Sequence, residues 1–102
     1  MRLLPALGAA LFASSFFASA HAEYMVASFY HAPRPEVAAH RSLPKGTWLK
    51  LTNPRNGRVA TVVIGDRGPF VRGRTLDISV SRAHTLGFVT RGVATLVVER
   101  LN

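Results

Sequence analysis

The sequence predicts a mainly β domain that closes on itself as a small barrel, and three observations lead there. Short apolar and β-branched stretches recur along the chain, separated by turns rich in Pro, Gly and Asn. Asn56-Gly57 stands between two of these stretches and is the strongest hairpin signal in the chain. The domain is also too small for a large core and has no cysteine to staple one. A closed sheet leaves no unpaired edges, and this is how so small a β domain holds together.

The first 22 residues are set apart from that domain. Arg2 supplies a positive start, and Leu3 to Phe17 is an apolar run without charge. Ala20-His21-Ala22 then matches a small-residue cleavage site, so Glu23 is the expected mature N-terminus. The run falls short of the roughly 20 residues of a spanning helix, and Pro5 and Gly8 interrupt it, so a removed signal peptide is expected rather than an anchor. Taking 22 residues from 102 leaves 80, one domain over residues 23–102. With no cysteine to carry a lipid, the mature chain is expected to be exported, soluble and periplasmic.

Charge narrows the partners. Without Arg2, twelve basic residues face five acidic ones, a net charge of +7. Inside a cell that balance would suggest nucleic acid. Export argues against nucleic acid and leaves wall polymers, lipid headgroups and polysaccharides, or solubility alone.

Tyr24 to Tyr30 reads as the first strand. His31 to Glu36 holds two prolines and reads as a loop. Val37-Ala-Ala-His40 is apolar up to its last residue, and Arg41 to Gly46 is a second bend. From Trp48 the chain alternates, with Leu49 and Leu51 on one face and Lys50 and Thr52 on the other. Pro54 to Gly57 turns it back into Arg58 to Ile64, whose near-continuous apolar run predicts burial on both faces. The strand is expected to break at Gly65 and present Asp66. A tight turn through Gly68-Pro69 and a basic loop with Arg72 and Arg74 lead to a short strand, Thr75 to Ile78. Ser79 is the expected N-cap of a helix through Leu86, Gly87 its C-cap, and Gly92 to Leu101 the last strand.

Carboxylates are scarce, which makes their placement informative. Glu23 and Glu99 lie at the ends, leaving Glu36, Asp66 and Asp77 for a central cleft. Cleaving a glycosidic bond needs a carboxylic acid beside the leaving oxygen, and Asp66, expected beneath Pro69 and Phe70, is placed for it. The plainer reading of Asp66 is a turn-capping residue bonded to nearby amides and paired with Arg67 or Arg74. Likewise His40 reads either as a satisfied inward-facing residue or as a member of the site. His31, His40 and His84 share no metal-ligand spacing, so no metal is expected. No Ser-His-Asp order, phosphate loop or dinucleotide fingerprint is present.

Several blocks occur in one order: Ala27-Ser-Phe-Tyr30, Ala38-Ala-His-Arg-Ser-Leu-Pro-Lys-Gly-Thr47, Leu51-Thr-Asn53, Asn56-Gly-Arg58, Asp66-Arg-Gly-Pro-Phe70, Gly73-Arg-Thr-Leu-Asp-Ile-Ser79 and Leu86-Gly87. In these the chain resembles the rare lipoprotein A (RlpA) family over nearly all of residues 23–102. The resemblance implies a six-stranded double-psi β-barrel with one short helix. It also implies an endolytic peptidoglycan lytic transglycosylase acting on glycan strands stripped of their peptides, leaving 1,6-anhydromuramic ends. Matched position by position, Asp66 and His40 are the implied catalytic residues and Asp77 a supporting one. Arg67, Arg72, Arg74 and Tyr30 are the expected glycan-binding residues. The family's Glu, in a segment resembling Thr-Ala-Ser-Gly-Glu, has no counterpart here, because only Val37-Ala-Ala separates Glu36 from His40. No cofactor is implied. Peptidoglycan strands and division-site proteins are the implied partners, and a monomer is expected.

Two functions stay open at this point. In the first, Asp66 protonates the bridging oxygen and then, ionised, takes the proton of the muramic 6-hydroxyl. In the second, as in expansins, the barrel binds or loosens wall glycan without cutting it. Anhydro ends in a digest of peptide-free glycan distinguish them.

Overall fold

The structure is a computed structural model and describes residues 22–102. The expected leader, residues 1–22, thus lies outside the described residues except for Ala22. Six strands and one helix follow in the order β1 (Glu23–Tyr30), β2 (Val37–His40), β3 (Trp48–Thr52), β4 (Val59–Asp66), β5 (Leu76–Ser79), α1 (Val80–Leu86) and β6 (Ala94–Arg100). The strands close into a barrel in the order β1-β5-β2-β4-β3-β6. β1 runs parallel to β5 and β2 parallel to β4, while the other neighbours are antiparallel. This is the expected six-stranded double-psi β-barrel. No described helix is long and apolar enough to cross a membrane.

Alternation explains how so few residues fill the barrel. Ala27, Leu49, Leu51, Val62, Ile64, Leu76, Ile78, Leu96 and Val98 point inward and are buried, joined by Leu86 and Phe88 from the helix and the loop after it. Each large aliphatic side chain so buried contributes about 1.5–3 kcal/mol. The residues between them face outward, and on β1, β5, β2 and β4 that outer side carries the polar groups taken up below.

The caps behave as their residue types dictate. Ser79 Oγ accepts from the Arg82 amide at 3.1 Å and opens α1. Gly87, at φ 77°, closes it: its N–H donates to the His84 carbonyl and the Phe88 N–H to the Ala83 carbonyl. Leu86 O, one of the carbonyls a helix end leaves over, accepts from Asn53 Nδ2 at 2.8 Å and Asn56 Nδ2 at 3.0 Å. The β3–β4 hairpin turn is thereby fastened to the helix.

Three local expectations are corrected. Val37–His40, which had no assigned structure, is strand β2, the one strand flanked by both β5 and β4. Burial of β4 on both faces does not occur; it alternates, and Val59 is 45 % exposed. A barrel of this size has one interior, so an apolar outer face stays at the surface. Nor does β4 break at Gly65, since the strand continues through it to Asp66 with a register shift against β2.

Candidate active site

One row of paired residues crosses four neighbouring strands. Ser28 on β1 stands opposite Asp77 on β5, Asp77 opposite Ala39 on β2, and Ala39 opposite Asp66 on β4. Directly paired residues share a face of the sheet. Their chain neighbours Ala27, Leu76, Ile78 and Ala38 belong to the core, so the row lies on the barrel's outer side.

Asp66 reaches this side only because the pairing is irregular. Ala38 pairs with Ile64 but Ala39 pairs with Asp66, so Gly65 is the extra residue. If Gly65 were regularly paired, Asp66 would share the inward face of Ile64, two residues away. A bulge re-aims the side chain that follows it. A Cβ there would sit 3.0 Å from Val37 Cγ1, so any larger residue needs Val37 to give way.

The two aspartates receive different treatment. Asp77 is buried, accepts a short hydrogen bond from Ser28 Oγ, and takes Arg74 Nη2 on both oxygens at 3.0 Å. Asp66 is half-buried and accepts from the Tyr30 phenol at 2.5 Å on Oδ2. Its Oδ1 has no hydrogen-bond partner among the described residues. Neither Arg67 nor Arg74 pairs with Asp66, which sets aside the turn-capping ion pair. Phe70, expected over Asp66, is 77 % exposed.

His40 ends β2, one residue beyond Ala39. Its Nδ1 accepts from the amides of Ser42 at 3.1 Å and Leu43 at 3.0 Å, which places the ring proton on Nε2 and leaves the ring neutral. Burial, then Arg41 and also Arg67, push its pKa down, against a smaller opposing pull from Glu23. Arg67 Nη1 donates to the carbonyls of His40 at 3.2 Å and Leu43 at 2.6 Å. The expected glycan-binding Arg67 thus braces the turn after His40, and Arg74 is engaged by Asp77. Arg72 is exposed and makes no ion pair among the described residues. Glu36 pairs with Arg34 at 2.9 Å. It lies in the turn before β2, three residues ahead of Ala39.

Ser28 was missed as a site residue. The signal for it is its place two residues before Tyr30, on the same face of one strand. Among the described residues no group of His, Asp or Glu is arranged to hold a metal ion.

With the geometry described, comparison with known proteins decides the family. The lytic transglycolase family profile matches residues 6–98. The chain belongs to the lytic transglycolase family. This lytic transglycolase chain is 52 % identical over 69 residues to the Nostoc protein named "Probable endolytic peptidoglycan transglycosylase RlpA", covering 68 % of this chain and 19 % of that one. Against "Endolytic peptidoglycan transglycosylase RlpA" of Pasteurella multocida it is 38 % identical over 96 residues, covering 80 % and 33 %. The chain therefore spans about a fifth to a third of the length of these relatives. Among solved structures, the expansin of Clavibacter michiganensis superposes with a TM-score of 0.64 at 17 % identity, covering 79 % of this chain and 50 % of that one. The Streptomyces papain inhibitor does so with 0.65 at 15 %, covering 81 % and 96 %. These two likenesses are of the lytic transglycolase fold alone.

Proposed function

We propose that this domain is an endolytic peptidoglycan lytic transglycosylase that cuts peptide-free glycan strands and leaves 1,6-anhydromuramic ends. One observation carries the reading: of the two aspartates on the outer row, only Asp66 has an oxygen without a partner among the described residues. Hydrolysis with inversion needs two working carboxyl groups, one of them to activate water. Asp77 is held by Arg74 and Ser28 and has no such freedom. Intramolecular cleavage needs one carboxyl group, used twice. Protonated Asp66 gives its proton to the bridging oxygen as the C1–O bond breaks. The 6-hydroxyl of the same muramoyl residue then closes on C1, and its proton returns to the Asp66 carboxylate. No water is consumed and Asp66 ends as it began.

The other groups support that cycle by position. Asp77 and Arg74 brace the strand pair beside Asp66, and His40, neutral and held by two amides, presents an Nε2–H donor. Arg72 supplies a free guanidinium for polar or anionic glycan groups. Removal of the leader at Ala22 and export to the periplasm would bring the domain to its substrate as a soluble monomer, with division-site proteins as its neighbours.

A second reading, glycan binding without turnover, is favoured by Glu36, which pairs with Arg34, and by Asp77, held by Arg74, so that neither serves Asp66 as a second uncommitted acid. One paired experiment separates the two. Peptide-free glycan is digested by wild type and by Asp66→Asn, with anhydro ends read by mass spectrometry and retention on insoluble glycan read in parallel. A fall of about 100-fold or more in anhydro ends with binding kept supports general acid–base work by Asp66. Equal binding by both proteins with no anhydro ends from the wild type leaves the binding reading standing.

A further inference from the structure

The geometry points to Tyr30 as the positioning residue of Asp66, holding one carboxylate oxygen so that the other performs the proton transfers. Tyr30 was expected to bind glycan, yet its phenol oxygen lies 2.5 Å from Asp66 Oδ2, 36 residues away in the chain. The inference rests on the reading of Asp66 as acid and base.

A carboxylate offers two nearly equivalent oxygens, and a proton on the wrong one does not reach the glycosidic bond. A phenol donating at 2.5 Å occupies Oδ2, so the proton that Asp66 carries goes to Oδ1. That is the oxygen with no partner among the described residues. In the return step the same phenol still donates to Oδ2, and Oδ1 again receives the proton. Tyr30 thus assigns both transfers to a single oxygen, which matters because reacting atoms must stay near attack distance throughout.

The phenol is built to remain a donor. Burial, then the hydrogen bond and charge of Asp66 and the charge of Asp77, push its ionisation up, so it keeps its proton across the neutral range. Its backbone is also fixed. Tyr30 pairs with Ser79 and its neighbour Phe29 with Ile78, and Phe29 packs on Phe88 with ring centroids 6.2 Å apart. Tyr30, half-buried on the outer face of β1, is thereby anchored at its backbone. Ser28 and Tyr30, two residues apart on β1, each donate to one aspartate. Asp77 already has Arg74 on both oxygens; Asp66 has Tyr30 alone.

The test uses Tyr30→Phe, which keeps the ring and removes the hydroxyl. In kinetics on peptide-free glycan, kcat falls about 10- to 100-fold with KM little changed, the expected cost of a loosened reacting group. A glycan-binding role predicts the opposite split, a raised KM with kcat kept, and that result overturns the inference. Proton NMR supplies a readout that does not depend on turnover. The wild-type domain is expected to show a downfield, slowly exchanging hydroxyl proton, lost in both Tyr30→Phe and Asp66→Ala, the latter removing every acceptor at that position. Its absence from the wild type, or its survival in Asp66→Ala, overturns the inference. If the wild type makes no anhydro ends, the proposed function fails, and the hydroxyl signal alone decides whether Tyr30 holds Asp66.

Discussion

The two parallel strand pairs of this barrel are alike in topology and differ in regularity. β1 and β5 pair without interruption from Ala27 to Tyr30, whereas β2 and β4 slip at Ala38/Ala39. The regular pair carries Asp77, buried and saturated with donors. The slipped pair carries Asp66, half-open with one oxygen spare. A carboxylate placed by unbroken pairing can be fully satisfied by neighbours, and such a group stabilises. One placed by a bulge at a strand end here meets fewer neighbours and keeps an oxygen without a partner among the described residues. Regular pairing gives the saturated carboxylate, and the slip gives the one on which the proposed chemistry rests.

The sharpest way to break this contrast is to make the same change on both sides. Asp66→Asn is expected to abolish most turnover and leave stability nearly untouched. Asp77→Asn should do the reverse first. It removes the charge that Arg74 meets on both oxygens, and Arg74 Nε is already a buried donor without a partner. A loss of about 1–3 kcal/mol, measured by urea unfolding, is expected from leaving that donor set unmatched. Equal stability of the two variants would show that the aspartates are not divided in this way.

The bulge itself can be strained next. Gly65→Ala places a methyl 3.0 Å from Val37 Cγ1, and overpacking of this kind costs about 1 kcal/mol or more. Val37→Ala removes the obstructing methyls, so the double variant is expected to recover most of the loss made by the added Cβ. Additive losses in the thermodynamic cycle would place the strain elsewhere.

The smallest effect concerns pH at the end of β2. His40 is held neutral in the folded state, its pKa lowered mainly by burial. Unfolded, it titrates at its ordinary value, about 6.5. Just below that pH the unfolded chain binds more protons than the folded one, so stability falls as pH drops through the window between the two values. Above about pH 6.5 the effect is absent. In His40→Asn a side-chain oxygen can still accept from the Ser42 and Leu43 amides but does not titrate. Thermal unfolding from pH 7.5 to 5 should therefore show a shallower decline in the variant, and parallel curves would remove His40 from this account.

Local features were readable in advance where their causes are local. The Leu49 and Leu51 alternation, the Ser79 and Gly87 caps and the turn around Asn56-Gly57 depend on residues within a few positions of one another. The RlpA blocks brought the barrel and Asp66, His40 and Asp77. What stayed hidden depends on pairing across the chain. Four residues of β2 are too few for a period, and only contact with β4 and β5 makes them a strand. The Gly65 bulge exists only relative to β2. Ser28 meets Asp77 across 49 positions, and Tyr30 meets Asp66 across 36. Arginines near an aspartate in sequence suggested pairing with Asp66, but Arg74 turned to Asp77 three residues on, and Arg67 to two backbone carbonyls.

The connection between β1 and β2 is only six residues, 31–36. Ala32 N bonds Tyr30 O at 3.0 Å at its start, and Val37 N to Arg34 O at 3.1 Å, Ser79 Oγ to Pro35 O at 2.6 Å and Val63 N to Glu36 O at 2.8 Å tie its second half. Pro33, between these ties, is exposed. Loop-closure entropy grows only with the logarithm of length, so a dozen-residue insertion at Pro33, which triples this connection, costs about 1 kcal/mol. The barrel can thus accept such an insertion without reworking its core or its caps. The connection is thus a place where a wall can be raised at little cost, leaving the paired row of Ser28, Asp77, Ala39 and Asp66 as it is.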